Sequence, residues 1–71
     1  MIRYQNLNGN LNVFAYEIGD DYVDVKFIGG SVYRYSYSSA GSYHIEKMKE
    51  LAIRGYGLNS YIITYVKYQY E

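Results

Sequence analysis

The side chains able to do chemistry are few, and their spacing limits what they can do. There is one histidine, His44, and no cysteine, so a thiolate nucleophile and a thiolate metal site are both ruled out. His44 has no second histidine to complete a metal site, and Glu46, two positions on, points to a different side of a helix. Asp20, Asp21 and Asp24 gather behind Gly19. They lack the spaced oxygens of a calcium loop and read as turn chemistry. Gly29-Gly30 is followed by no Lys-Ser/Thr pair and joins two strand-like segments, which is not a phosphate loop. Gly55-x-Gly57 comes after a helix-like segment, the wrong order for a dinucleotide site. The expectation is a non-catalytic protein with no catalytic residue, metal or cofactor, and no small-molecule substrate.

What remains is aromatic and cationic. Twelve of the 71 residues are tyrosine, and the net charge is zero. The charge is not evenly spread. Residues 1–24 carry Arg3 against Glu17, Asp20, Asp21 and Asp24, whereas residues 25–70 carry Lys26, Arg34, Lys47, Lys49, Arg54 and Lys67 against Glu46 and Glu50. Aromatics on a sheet with cations between them can stack single-stranded bases, at about 1–3 kcal/mol per base. Tyr33, Tyr35 and Tyr37 alternate with Arg34 in this manner, although the hairpin register with a three-residue loop at 28–30 turns Tyr33 and Tyr35 to the core and leaves Arg34, Ser36, Asp24 and Lys26 on the open face. The first functional expectation is therefore an RNA-binding module. Lys26, Arg34, Lys47, Lys49, Arg54 and Lys67 would meet phosphates from an open sheet face and a helix. The alternative is a protein-interaction or homodimerisation module. Tyr61, Tyr65, Tyr68 and Tyr70 are too many aromatic rings for so short a chain to bury, and they suit an interface. Cations on a shared face favour RNA; an exposed tyrosine patch at 61–70 favours protein.

These side chains need elements to hold them. Residues 22–28 alternate, with Val23, Val25 and Phe27 on one face and Asp24 and Lys26 on the other, the mark of a half-buried antiparallel strand. Residues 31–37 alternate again. A three-residue loop at 28–30 pairs Val25 with Tyr33 and Val23 with Tyr35. A two-residue loop would bring Arg34 to the valine face, where burial is costly. Residues 11–18 read as a strand of mixed period, and Asn8-Gly9-Asn10 suits a hairpin turn back to Ile2–Gln5. Ile45, Met48, Leu51 and Ala52 form a helical stripe, with Ser39 or Ser42 expected as N-cap and Gly55 as the left-handed C-terminal residue. The tail from Ser60 onward is β-branched and aromatic and reads as a strand.

The fold expected is α+β in one domain, residues 1–71. It is a three- to four-stranded antiparallel meander, with a helix over about 40–55 on one face and a tyrosine-rich C-terminal strand. The expected core is Val13, Ala15 or Tyr16, Val23, Val25, Phe27, Tyr33, Tyr35, Ile45, Met48, Leu51, Ala52 and Ile62. The polar N-terminus suggests no secretory leader, and the longest apolar run, Tyr61 to Val66, is too short to span a bilayer. A cytoplasmic location without membrane contact is expected.

The pieces Tyr16-Glu17, Val23-x-Val25-x-Phe27, Gly30-x-x-Tyr33-x-Tyr35 and Gly55-x-x-x-Asn59-x-x-Ile62, in that order, resemble the KTSC domain. That family is named for the C-terminus of some lysyl-tRNA synthetases and also occurs as a small free-standing bacterial protein. Its central Tyr-x-Tyr matches Tyr33-Arg34-Tyr35. The resemblance spans roughly Val13 to Tyr65. It implies a compact unit of antiparallel strands and one helix, and RNA as the suggested partner.

Overall fold

Strand alternation and one helical stripe produce a meander with helices laid on one face. The structure, a computed structural model, describes residues 1–9 and 12–71. Four strands, β1 (Ile2–Arg3), β2 (Val13–Ile18), β3 (Tyr22–Phe27) and β4 (Val32–Ser36), pair antiparallel in sequence order. Three helices follow: α1 (Tyr37–Ala40), α2 (Ser42–Arg54) and α3 (Leu58–Tyr61), the last continuing as a wider π-helical turn over Ile62–Val66.

The β3–β4 hairpin has the register in which Val25 faces Tyr33 and Val23 faces Tyr35. Its loop is the three residues Ile28, Gly29 and Gly30. The Gly30 N–H donates to Phe27 O at 2.8 Å and the Phe27 N–H to Ser31 O at 2.9 Å, with Gly30 at φ 96°. This is a tight three-residue hairpin loop closed by a residue at positive φ, which glycine adopts without a Cβ penalty.

Strand β2 explains its own mixed period. Its pairing with β3 shifts between Val13 and Ala15, so Phe14 is an extra residue in the ladder. A bulge of this kind lets two residues three apart face the same side. Val13 and Tyr16 are both buried in the core cluster, opposite Phe27 and Val25. Ala15 is buried too but stands outside that cluster, opposite Arg3 and Lys26. Of the expected N-terminal hairpin, Ile2–Arg3 pairs with Tyr16–Ala15. Its Asn10 and Leu11 lie outside the described residues.

Helix α2 lays Ile45, Met48, Leu51 and Ala52 on the sheet and ends at Gly55, φ 90°, whose N–H bonds back to Leu51 O. Its start differs from expectation. The serine cap belongs to the short α1: Ser36 is its N-cap and Ser39 its N3 residue, each side chain accepting the other's backbone N–H. Helix α2 itself begins after Gly41 with no side-chain cap. The chain needs φ 90° at Gly41 to redirect α1 into α2, and only glycine reaches it without strain.

The C-terminal segment is the main correction. Residues 58–66 are helical, not a strand. Leu58, Ile62 and Val66 recur every four residues and all are buried. Burying that stripe while closing its own backbone hydrogen bonds outweighs the modest strand preference of Ile, Thr and Tyr. The helix also gains a cap from afar. Gly57 has no side chain to accept the orphan Leu58 N–H, and that N–H donates to the Tyr4 hydroxyl at 3.2 Å. Tyr4, only 4% exposed, therefore joins the core together with Leu58 and Val66. Phe27 is only partly buried, packed at the core's rim. Tyr35 is core, and burial pushes its hydroxyl pKa up to about 12, helped by Tyr33 and Tyr70. Tyr33, expected in the core, stands on the edge strand against Phe27 and Tyr70 and is 38% exposed.

Candidate interaction surface

The six cations do not gather on one face. Lys26 and Arg34 stand on the sheet face away from α2, since Asp24, Lys26 and Arg34 alternate with the core residues Val23, Val25 and Tyr35. There Arg34 is committed. Its Nε and Nη2 donate to the two Asp24 carboxylate oxygens at 2.7 and 2.9 Å, and the guanidinium lies 3.9 Å from the Tyr22 ring centroid. The Asp24 bonds, and beyond them the Asp24 charge, hold Arg34 even more firmly in its charged form. Lys26 hangs beside the Phe14 ring, with Arg3 nearer to the same ring at 4.3 Å.

On α2, Lys49 bonds inward. It donates to Asp20 O at 2.7 Å and pairs with Glu46 at 2.9 Å, while the Tyr37 hydroxyl donates to Glu46 at 2.6 Å. This clasp ties the helix to the β2–β3 turn. Tyr37 first and Lys49 second hold the Glu46 carboxyl below its ordinary value. In turn the Glu46 bond raises both the Tyr37 hydroxyl and the Lys49 ammonium. Lys47 pairs with Glu50 at 3.3 Å, Arg54 covers the Tyr56 ring at 4.3 Å, and Lys67 stands 5.4 Å from the Tyr68 ring. These are ordinary surface pairings on several sides of the molecule.

The tyrosines are more concentrated. Tyr61 and Tyr65, one helical turn apart, have ring centroids 4.7 Å apart. The His44 ring stacks on Tyr65 at 5.9 Å and 25°, and meets Tyr61 and Tyr43 edge-on at 5.7 and 5.5 Å. Burial first, then the neighbouring Tyr43 and Tyr65, hold the Tyr61 hydroxyl above its ordinary pKa. Its oxygen shares a hydrogen bond with His44 Nδ1 at 2.6 Å. That bond fixes the histidine ring against α3. His44 and Tyr61 are partly buried, whereas Tyr43 is 77% and Tyr65 56% exposed. The four rings make one continuous aromatic surface across α2 and α3.

Both charge signs border this surface. On one side Lys47 and Arg54, with Ser60, Tyr61, Thr64 and Tyr65, line an open groove of about 310 Å³. Next to it, Tyr43 shares a shallow depression with Ser42, Glu46, Glu50 and the same Lys47, which pairs with Glu50. The four expected interface tyrosines thus separate. Tyr61 and Tyr65 join the cluster, Tyr68 is exposed beside Lys67, and Tyr70 packs on the sheet against Tyr33 and Tyr35. Tyr43 and His44 were not anticipated as partners of Tyr61. Their signal is present in the chain only if 58–66 is read as a helix, because four-residue spacing then aligns Tyr61 with Tyr65.

Among the described residues, no group of three or more His, Cys, Asp or Glu side chains is arranged to hold a metal ion, and no helix is long and apolar enough to cross a membrane. No family model, curated protein or solved structure matches the chain.

Proposed function

We propose that this domain is a non-catalytic protein-interaction module that self-associates through the Tyr43–His44–Tyr61–Tyr65 surface. The observation that carries the reading is the exposure of Tyr43 and Tyr65 around an ordered His44–Tyr61 pair. Exposed aromatic surface of this kind is enriched at protein interfaces, where large rigid rings bury much area at low entropic cost. A second copy is the favoured partner because the surroundings of the rings carry both charge signs, Lys47 and Arg54 beside Glu46 and Glu50, so two copies of this patch meet without a like-charge penalty.

RNA is the alternative partner, and the KTSC resemblance speaks for it. It is less favoured for a physical reason. Phosphate contacts supply most of the affinity in such complexes, and in this neutral chain Arg34, Lys47 and Lys49 already hold carboxylates.

Sedimentation equilibrium from micromolar to millimolar protein tests the reading. A concentration-dependent dimer is expected, reduced to monomer by Tyr65→Lys with no change in the far-UV spectrum. A wild-type chain that stays monomeric across that range refutes self-association. Saturable binding of labelled single-stranded RNA that weakens steeply with salt would establish the alternative.

A further inference from the structure

The last residues of the chain lie on the open edge of the sheet, away from the surface just described. Strand β4 has no neighbour beyond it in the strand order. The Glu71 N–H donates to the Arg34 carbonyl at 2.7 Å, so Arg34's backbone faces outward from the ladder. Antiparallel alternation places the polar groups of Val32 and Ser36 on the same outward side. The Ser36 N–H is already taken by Ser39 Oγ at 3.0 Å. This leaves a short strip of β4, Val32 to Arg34, with backbone groups aimed away from the sheet.

The tail meets that strip in the way a ligand would. A turn from Val66 to Gln69, closed at 2.9 Å, reverses the chain. The Tyr70 ring then packs on Tyr33 at 4.6 Å and edge-on to Tyr35 at 6.2 Å, with Phe27 behind Tyr33 at 5.8 Å. Glu71 follows with its backbone bond, and its charge lies close enough to add to the stabilisation of Arg34 that Asp24 dominates. One ring, one backbone donor and one negative charge match what this edge offers.

We propose that the β4 edge is a docking strip for an extended peptide bearing an aromatic residue followed by an acidic one, and that the chain's own Tyr70-Glu71 fills this strip in cis. Backbone pairing to an exposed strand supplies affinity and the side-chain contacts supply selectivity, which is strand addition. The tail acts as a tethered competitor. A partner must displace it, so only a segment with matching chemistry, or one delivered at high local concentration, gains the edge.

The test uses a fluorescein-labelled peptide of sequence Lys-Tyr-Gln-Tyr-Glu and the full chain, followed by anisotropy. A tail tethered by a few residues competes at an effective concentration on the order of 1 mM, so a peptide of about 100 µM intrinsic Kd binds a released edge about tenfold tighter than the wild-type edge. Tyr70→Ala releases the ring. Glu71→Pro, outside any helix or strand, removes the N–H donor to Arg34. The expected result is tighter peptide binding by both variants, no binding of a peptide whose second tyrosine is alanine, and amide shift changes confined to residues 31–36. Equal affinity of all three chains, shift changes at Tyr61 and Tyr65, or no binding at millimolar peptide would each overturn the proposal.

Discussion

Replacing Tyr4 with phenylalanine removes one oxygen and nothing else, and the structure assigns that oxygen a definite task. It accepts the Leu58 N–H at 3.2 Å across 54 residues of sequence. Leu58 is fully buried and Tyr4 nearly so, and Gly57 offers no cap of its own. In Tyr4→Phe the ring packing stays, but a buried donor loses its partner. Such a loss costs about 1–3 kcal/mol. For 71 residues the unfolding entropy is about 150 cal/mol/K, from about 2.1 cal/mol/K per residue, so the melting temperature should fall by about 7–20 °C. Calorimetry gives that shift directly, and urea titration followed by circular dichroism should give a lower midpoint at unchanged slope. A fall of less than about 3 °C, equivalent to under about 0.5 kcal/mol, would mean that the Leu58 N–H finds another acceptor. The cap assigned to Tyr4 would then be wrong.

Two further expectations concern the helix ends and the clasp. Gly55→Ala should cost about 2–4 kcal/mol in urea titration and Gly57→Ala only about 1–2. Both sit at φ near 90°, but a Cβ at 55 comes within 3.0 Å of the Gln5 Cβ, which cannot swing aside as the Gln5 amide can, whereas at 57 the nearest atom is an Arg54 guanidinium nitrogen at 3.5 Å; equal costs would contradict this packing. Glu46→Gln should lower the melting temperature at neutral pH. Tyr37 and Lys49 hold the folded Glu46 below its ordinary 4.5, so its contribution is complete above that value and is lost as pH falls through the folded pKa. The wild-type and variant melting curves should therefore converge below about pH 4.5, and a gap that persists unchanged at pH 2 would rule out the carboxylate as its source.

The sheet was legible because its signals are local. Val23, Val25 and Phe27 alternate without interruption, and the cost of burying Arg34 selected the hairpin register that is observed. The stripe of α2 was equally plain. The N-cap was misread within a local serine cluster, Ser36 rather than Ser39 or Ser42, but the other misreadings share one cause, which is contact made far along the chain. Residues 58–66 carry strand-forming side chains, yet Leu58, Ile62 and Val66 lie at helical spacing against a core that only the tertiary fold supplies. Tyr4 could not be foreseen as a cap until Leu58 was known to begin a helix. Tyr33 has the same alternation as Tyr35, yet Tyr35 is core and Tyr33 is left 38% exposed against Phe27 and Tyr70, a difference that alternation does not encode. The candidate surface inherits the same limit: its two halves, Tyr43-His44 and Tyr61-Tyr65, meet only once α3 is in place.

That helix has a consequence for the unfolded protein. Tyr61 to Val66 is an uncharged run of β-branched and aromatic residues without proline or glycine, the composition that favours amyloid-type stacking when exposed. In the native state its backbone is sealed within helical turns, with Ile62 and Val66 buried. Solubility and stability are thereby coupled in one segment. Each substitution that loosens the Tyr4 cap or the Gly55 turn also raises the population of chains in which these six residues are free to stack with those of a neighbour. Thermal unfolding at high concentration should therefore end in fibrillar precipitate, with refolding competing only in dilute solution.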